Sequence, residues 1–269
     1  MQELYELPDR DRVCRAFAFA ALQTWSELRD FNDLGEESIT DYRLLQLKRM
    51  CPDEIKVIKF NKQKQEPHTG ADWEWWFGSG NEWFSMRVQA KRLNIDKLEY
   101  AHLDHTVGKS SDLQVDRLIS DAKSRDLYPM YCFYNYWPSR YSSRWPCGTF
   151  AQKTELWGAS ISDAVKIQDK VKSKAKRLQD IEPISFPLMC LACCKGHADT
   201  HRRPTLPHRA RGIARVLSDN ANLVPALKPS LPAYITQGIN AQVLDTPAAV
   251  LDLDGILIVE ENPNIYGEG

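Results

Sequence analysis

Three residues of this chain could do chemistry together: Asp72, closing ThrGlyAlaAsp (69–72), and Gln89 and Lys91, two positions apart in ValGlnAlaLys (88–91). Hydrolysis of a phosphodiester needs a divalent cation to offset charge on the phosphate, a polarised water in line with the leaving oxygen, and usually a cation near one of them. Mg²⁺ is a hard ion that takes one or two protein carboxylates and completes its octahedron with water and substrate oxygens. An Asp on one strand, facing a side-chain oxygen and a Lys on its neighbour, supplies those parts. Taken alone, an Asp and a Lys on a hairpin face are a solvated cross-strand pair. The case therefore rests on what positions them.

The positioning element is a hairpin. AlaAspTrpGluTrpTrpPhe (71–77) leads through GlySerGlyAsn (78–81) into a strand from Glu82 to Leu93. Side chains alternate across a sheet, so Trp73, Trp75 and Phe77 share one face and Asp72, Glu74 and Trp76 the other. On the return strand Phe84, Met86, Val88 and Ala90 oppose Trp83, Ser85, Arg87, Gln89 and Lys91. A four-residue turn pairs Phe77 with Glu82 and Trp76 with Trp83, which sets Asp72, Gln89 and Lys91 on one face. The other face is apolar and must pack on helices. The clustered tryptophans are read as packing; only Trp76 and Trp83 share the polar face, where a base could stack.

Around the hairpin, helical spacing marks residues 11–30 and 36–50, the second ended by Pro52, and alternation marks a strand over 55–60. A helix is expected from about Gln114 to Arg125 and a buried strand over 128–136. The order is helix, three strands, helix, strand, an α/β core with a central mixed sheet flanked by helices. Residues 1–137 form that core and 138–269 an extension of the sheet or a cap. In the second half a basic helix is expected over 160–180, a strand-like run over 184–194, a helix over 210–218 and a last strand over 253–259.

With these elements in place, ThrGlyAlaAsp followed by ValGlnAlaLys resembles the PD-(D/E)XK, or restriction-endonuclease-like, nuclease superfamily in a Gln-X-Lys variant. The resemblance covers roughly residues 36–136 and includes the element order and the placement of both motif halves on a hairpin. It implies that Asp72 binds the metal, that Gln89 completes the ligand set, and that Lys91 orients water or stabilises the phosphate. It further implies a Mg²⁺-dependent nuclease, with Mn²⁺ able to substitute, acting on DNA rather than RNA, in restriction, repair or defence. Many relatives add a Glu from the helix before the sheet. Glu36 and Glu37 both qualify, and Glu37 is preferred because it falls on the Thr40, Leu44, Leu47 stripe; Glu66, in the loop before Asp72, is the other claimant. The departure is Gln89, whose neutral amide oxygen stands where many relatives have a carboxylate and so weakens the hold on a cation. A catalytically silent nucleic-acid-binding or scaffold protein of the same fold is the alternative.

The bulk properties restrict the rest. With 43% hydrophobic and 26% charged residues the chain is an ordinary globular protein. Its net charge of −1 and pI near 6.6 exclude binding of nucleic acid by bulk attraction, so such binding must be local. Lys166, Lys170, Lys174 and Arg177 could line one helix against a phosphate backbone, or form a solvated surface. The spacing of Cys190, Cys193, His197 and His201 is compatible with zinc, but no second CxxC follows, and cysteines in an apolar run commonly serve as core, so zinc is not expected there. Seven irregularly placed cysteines and no signal-like N-terminus point to a reduced, cytoplasmic setting. No apolar window is long enough to span a membrane. A targeting partner protein and a homo-oligomer remain open.

Overall fold

The computed structural model describes residues 12–60, 69–106, 112–138, 141, 144–147, 152–197, 204–240 and 253–261. The helices are α1 (Arg12–Asp30), α2 (Glu36–Met50), α3 (Gln114–Ser124), α4 (Ala164–Lys172), α5 (Leu178–Ile181), α6 (Cys190–Cys193), α7 (Leu206–Leu217) and α8 (Ala233–Asn240). The strands are β1 (Ile55–Lys59), β2 (Trp73–Ser79), β3 (Glu82–Arg92), β4 (Tyr128–Tyr134), β5 (Ala159–Asp163), β6 (Ser185–Pro187) and β7 (Gly255–Glu260). They form one mixed sheet in the order β1-β7-β2-β3-β4-β5-β6. The α/β class and the helix, three strands, helix, strand order are as the sequence indicates. Among the described residues no helix is long and apolar enough to cross a membrane.

The second half of the chain does not stand apart from the first. β5 and β6 extend one edge antiparallel to β4, while β7 runs between β1 and β2, parallel to β2 and antiparallel to β1. Helices cover both faces. On one side Trp73, Trp75, Phe77, Met86, Val88 and Leu257 pack with α1, α2, α6 and α7; on the other Trp76, Tyr131, Phe133, Ile256 and Ile258 pack with α3, α4 and α5. The alternation along each strand sorts these two cores, as a sheet covered on both faces requires.

The hairpin register differs from the sequence reading by two residues. Ser79 pairs with Glu82 and Phe77 with Phe84, so the turn is Gly80–Asn81, with Gly80 at a φ of +58° that suits glycine at the first position of a tight hairpin turn. A shift of two leaves every side chain on its expected face.

Two readings of the second half are corrected. The expected helix over 160–180 is in fact β5, then α4, then a break. Asp163 caps α4 by accepting from the backbone N–H groups of Val165 and Lys166 at 2.6 and 3.1 Å, and the helix ends before Lys174, whose φ is +57°. Lys166, Lys170, Lys174 and Arg177 are therefore not one helical stripe. The apolar run 184–194 divides into the short β6 and the single turn α6.

Candidate active site

Asp72 directly precedes β2 and is held from both sides by backbone. Its N–H donates to the Val88 carbonyl at 2.9 Å, and its carbonyl accepts from the Asp254 N–H at 2.7 Å. The loop before it is set by Gly70, at φ +67°, where an added Cβ would lie 2.4 Å from the Gln114 carbonyl oxygen. Only glycine allows ThrGlyAlaAsp to approach the first turn of α3 this closely. Asp72 Oδ2 accepts from Gln89 Nε2 at 2.6 Å and from the Ala90 N–H at 2.9 Å. Gln89 Oε1 in turn accepts from Gln114 Nε2 at 2.8 Å.

Lys91, two residues on and buried, places Nζ 3.7 Å from Glu36 Oε1 at the first turn of α2. Glu36 Oε2 also accepts from the Arg92 N–H at 3.2 Å. The Arg92 guanidinium secures that corner by donating to the Asn32 carbonyl at 2.8 Å and to the Leu34 carbonyl. β4 adds Tyr131, paired with Gln89, whose buried hydroxyl has no hydrogen-bond partner among the described residues.

Asp72, Gln89, Lys91 and Glu36 thus gather at one corner, and burial there acts on the Asp72 carboxyl. Burial of its carboxylate pushes the pKa up to about 7, with the charges of Asp254 and Glu36 adding to the rise while Lys91 and the Ala90 N–H oppose it. Burial, followed by the charges of Asp72, Asp116 and Glu36, raises Tyr131 as well. A partly buried carboxylate near neutrality, beside two further acids and one ammonium, is a set of hard oxygen donors with excess negative charge. Oxygen donors are the kind that hard cations such as Mg²⁺ prefer, although among the described residues Asp72, Glu36 and Asp254 do not close into a group of three within reach of a single ion.

Several expected site residues are placed differently. Glu37 is exposed and Glu36 is the acid that meets Lys91. The buried face of α2 runs through Ile39, Thr40, Arg43, Leu44 and Leu47, and Glu36 lies one turn before Ile39 and Thr40 on that face; the stripe drawn from Thr40, Leu44 and Leu47 alone omits Ile39 and Arg43. Glu66 lies outside the described residues. Trp76 and Trp83 are buried and offer no exposed ring to a base. Lys166 pairs with Asp219 at 2.9 Å. Of the four residues with zinc-like spacing, Cys193 is joined to Cys14 in a disulfide, His197 packs edge-on against Phe186, and His201 lies outside the described residues.

Gln89 also faces the other way from a ligand, because its N–H₂, not its oxygen, points at Asp72. A bare carboxylate draws the donor end of an amide. Two residues of the cluster were not anticipated. Asp254 stands before β7 in LeuAspLeuAspGly (251–255), an acid ahead of an apolar run just as Asp72 is, but only the parallel pairing of β7 with β2 brings the two together. Gln114 begins α3, and its buried Oε1 has no partner among the described residues.

Comparison with known proteins adds one result. Residues 13–264 match the model of a family of unknown function, DUF6615, and the chain belongs to that family. No curated protein and no solved structure matches it.

Proposed function

We propose that this member of the DUF6615 family is a metal-dependent nucleic-acid phosphodiesterase, with DNA as the substrate that the PD-(D/E)XK resemblance favours. The observation that carries the reading is the convergence of Asp72, Gln89, Lys91 and Glu36 at one end of the β2–β3 hairpin. Asp72 would hold the cation, with Glu36 and Asp254 supplying negative charge around it. A bound Mg²⁺ would contribute charge neutralisation on the scissile phosphate and a more acidic water.

The chain's own groups have defined tasks. Asp72 must lose its proton to become a ligand, and its raised pKa makes that loss complete only above neutrality. Gln89 must turn its amide to present Oε1. Its Nε2 then needs an acceptor, and the partnerless Oε1 of Gln114 provides one once that amide turns too. Lys91, held by Glu36, carries a positive charge to the reacting phosphate in a setting where bulk water does not screen it. Glu36 and Asp254, from α2 and the residue before β7, would compensate for the neutral Gln89.

A second reading has its own observation: the Gln89 amide already satisfies Asp72, so the same residues could be a closed structural network in a silent binding or scaffold protein. The two separate on cation binding. At pH 8, Mn²⁺ or Mg²⁺ should raise the melting temperature of the wild type and leave Asp72→Asn unmoved. Identical responses of the two proteins would favour the silent reading.

A further inference from the structure

All seven cysteines lie in the core on the sheet face opposite Asp72, Gln89 and Tyr131, and five of them, Cys14, Cys147, Cys190, Cys193 and Cys194, gather around α6. The thiols of Cys147, Cys190 and Cys194 all lie within 4.8 Å of one another, with Cys147 Sγ and Cys194 Sγ 3.2 Å apart. Cys190 opens α6 and Cys194 caps its end, with the Cys194 N–H donating to the Cys190 carbonyl at 3.1 Å; Cys147 comes to them from the segment before β5. All three are almost fully buried, at 0–6% exposure. Cys193, in the same turn, is bonded to Cys14 of α1.

Three thiols at mutual contact are an unusual way to fill a core. Three sulfurs at this spacing fit a soft, thiolate-preferring ion, since Zn–S bonds of about 2.3 Å in a tetrahedron separate the sulfurs by just under 4 Å. A structural zinc site needs a fourth ligand. Cys193 stands in the same α6 turn as Cys190, and its sulfur is bonded to that of Cys14 on α1.

We propose that Cys147, Cys190 and Cys194 form a structural thiolate site for Zn²⁺, completed by a sulfur of the Cys14–Cys193 pair when that disulfide is reduced. A dithiol reductant supplies two electrons and two protons, becoming a disulfide itself, and Cys14 and Cys193 become thiols. Each sulfur that then coordinates zinc releases its proton. With Cys14 as the fourth ligand, the disulfide form and the zinc form would be alternative ways of tying α1 to α6, the first by a covalent bond and the second through the metal. The site is independent of the proposed phosphodiesterase centre, whose donors are oxygens on the other sheet face.

The test uses the full chain, reduced with a phosphine or oxidised with diamide, and probed with Co²⁺ in place of Zn²⁺. The reduced wild type should bind one equivalent of Co²⁺ with the intense near-ultraviolet absorption of thiolate ligation, and Zn²⁺ should displace it. The oxidised wild type should show no such band. Cys190→Ser should lose it, whereas Cys132→Ser and Asp72→Asn should keep it. The wild-type comparison stands even if Cys190→Ser does not fold. A folded, reduced wild type without the thiolate band, or equal binding by the oxidised and reduced proteins, overturns the proposal.

Discussion

If Asp72 is kept as an ionisable group for its chemistry, removing its charge should stabilise the empty protein. The fold moves its pKa from an ordinary 3.8 to about 7, so folding favours the protonated form. As pH rises from about 4 to about 7, the wild type must lose stability while Asp72→Asn does not, and above pH 7 the gap is constant. Each pH unit of displacement is worth about 1.4 kcal/mol, which sets a ceiling of ~4 kcal/mol; because Asp72 is only partly shielded from water, ~1–2 kcal/mol is the expected gain at pH 8. The asparagine oxygen can still accept from Gln89 Nε2 and the Ala90 N–H, so the geometry survives. The assay is urea unfolding of both proteins from pH 4 to pH 8. Taking the difference removes the parallel contributions of Asp163 and Glu182, whose burial also raises their pKa values. An Asn variant less stable than wild type at pH 8, or a gap independent of pH, would refute the reasoning.

Three further outcomes follow from the same geometry. Gln89→Glu should tighten Mn²⁺ binding about tenfold or more in a calorimetric titration, since it adds a charged oxygen where an amide now stands; unchanged affinity would remove Gln89 from the ligand set. Glu36→Gln should lower the cleavage rate by about 10- to 100-fold, while Glu37→Gln leaves it within about twofold, because only Glu36 meets Lys91; an equal loss in both variants would contradict the assignment. Gly70→Ala should cost ~2 kcal/mol or more of stability in urea unfolding, since the added methyl would meet the Gln114 backbone at 2.4 Å in a left-handed conformation; a change under about 0.5 kcal/mol would show that the loop position of Asp72 is not fixed there.

How far the sequence carried this picture depends on which periodicity was being read. Strand parity is forgiving: the turn was assigned two residues too long, yet Asp72, Gln89 and Lys91 stayed on one face because the error equals the period of a strand. Helical phase is not. One residue rotates a side chain by about 100°, so leaving Ile39 and Arg43 out of the buried stripe was enough to choose Glu37 over Glu36. The lysines at 166–177 read as one helix because the strand before them ends in its own helix cap, and SerIleSerAsp (160–163) carries few of the β-branched and aromatic residues that mark strands. Asp254 lay beyond reach for another reason. Its contribution arises from a pairing between strands some 180 positions apart, and no local pattern encodes which neighbour a strand will choose.

The central claim is that these residues cleave a phosphodiester, and the most direct measurement is a cleavage assay. The purified chain is incubated with plasmid, linear duplex, single-stranded DNA and RNA in Mg²⁺ or Mn²⁺ and, as a control, in chelator, beside Lys91→Ala. The account predicts cation-dependent scission of DNA that Lys91→Ala slows by about 100-fold or more while DNA binding changes little, because Lys91 acts on charge developing at the scissile phosphate. Intact substrates under every condition, or cleavage by Lys91→Ala at the wild-type rate, would contradict it.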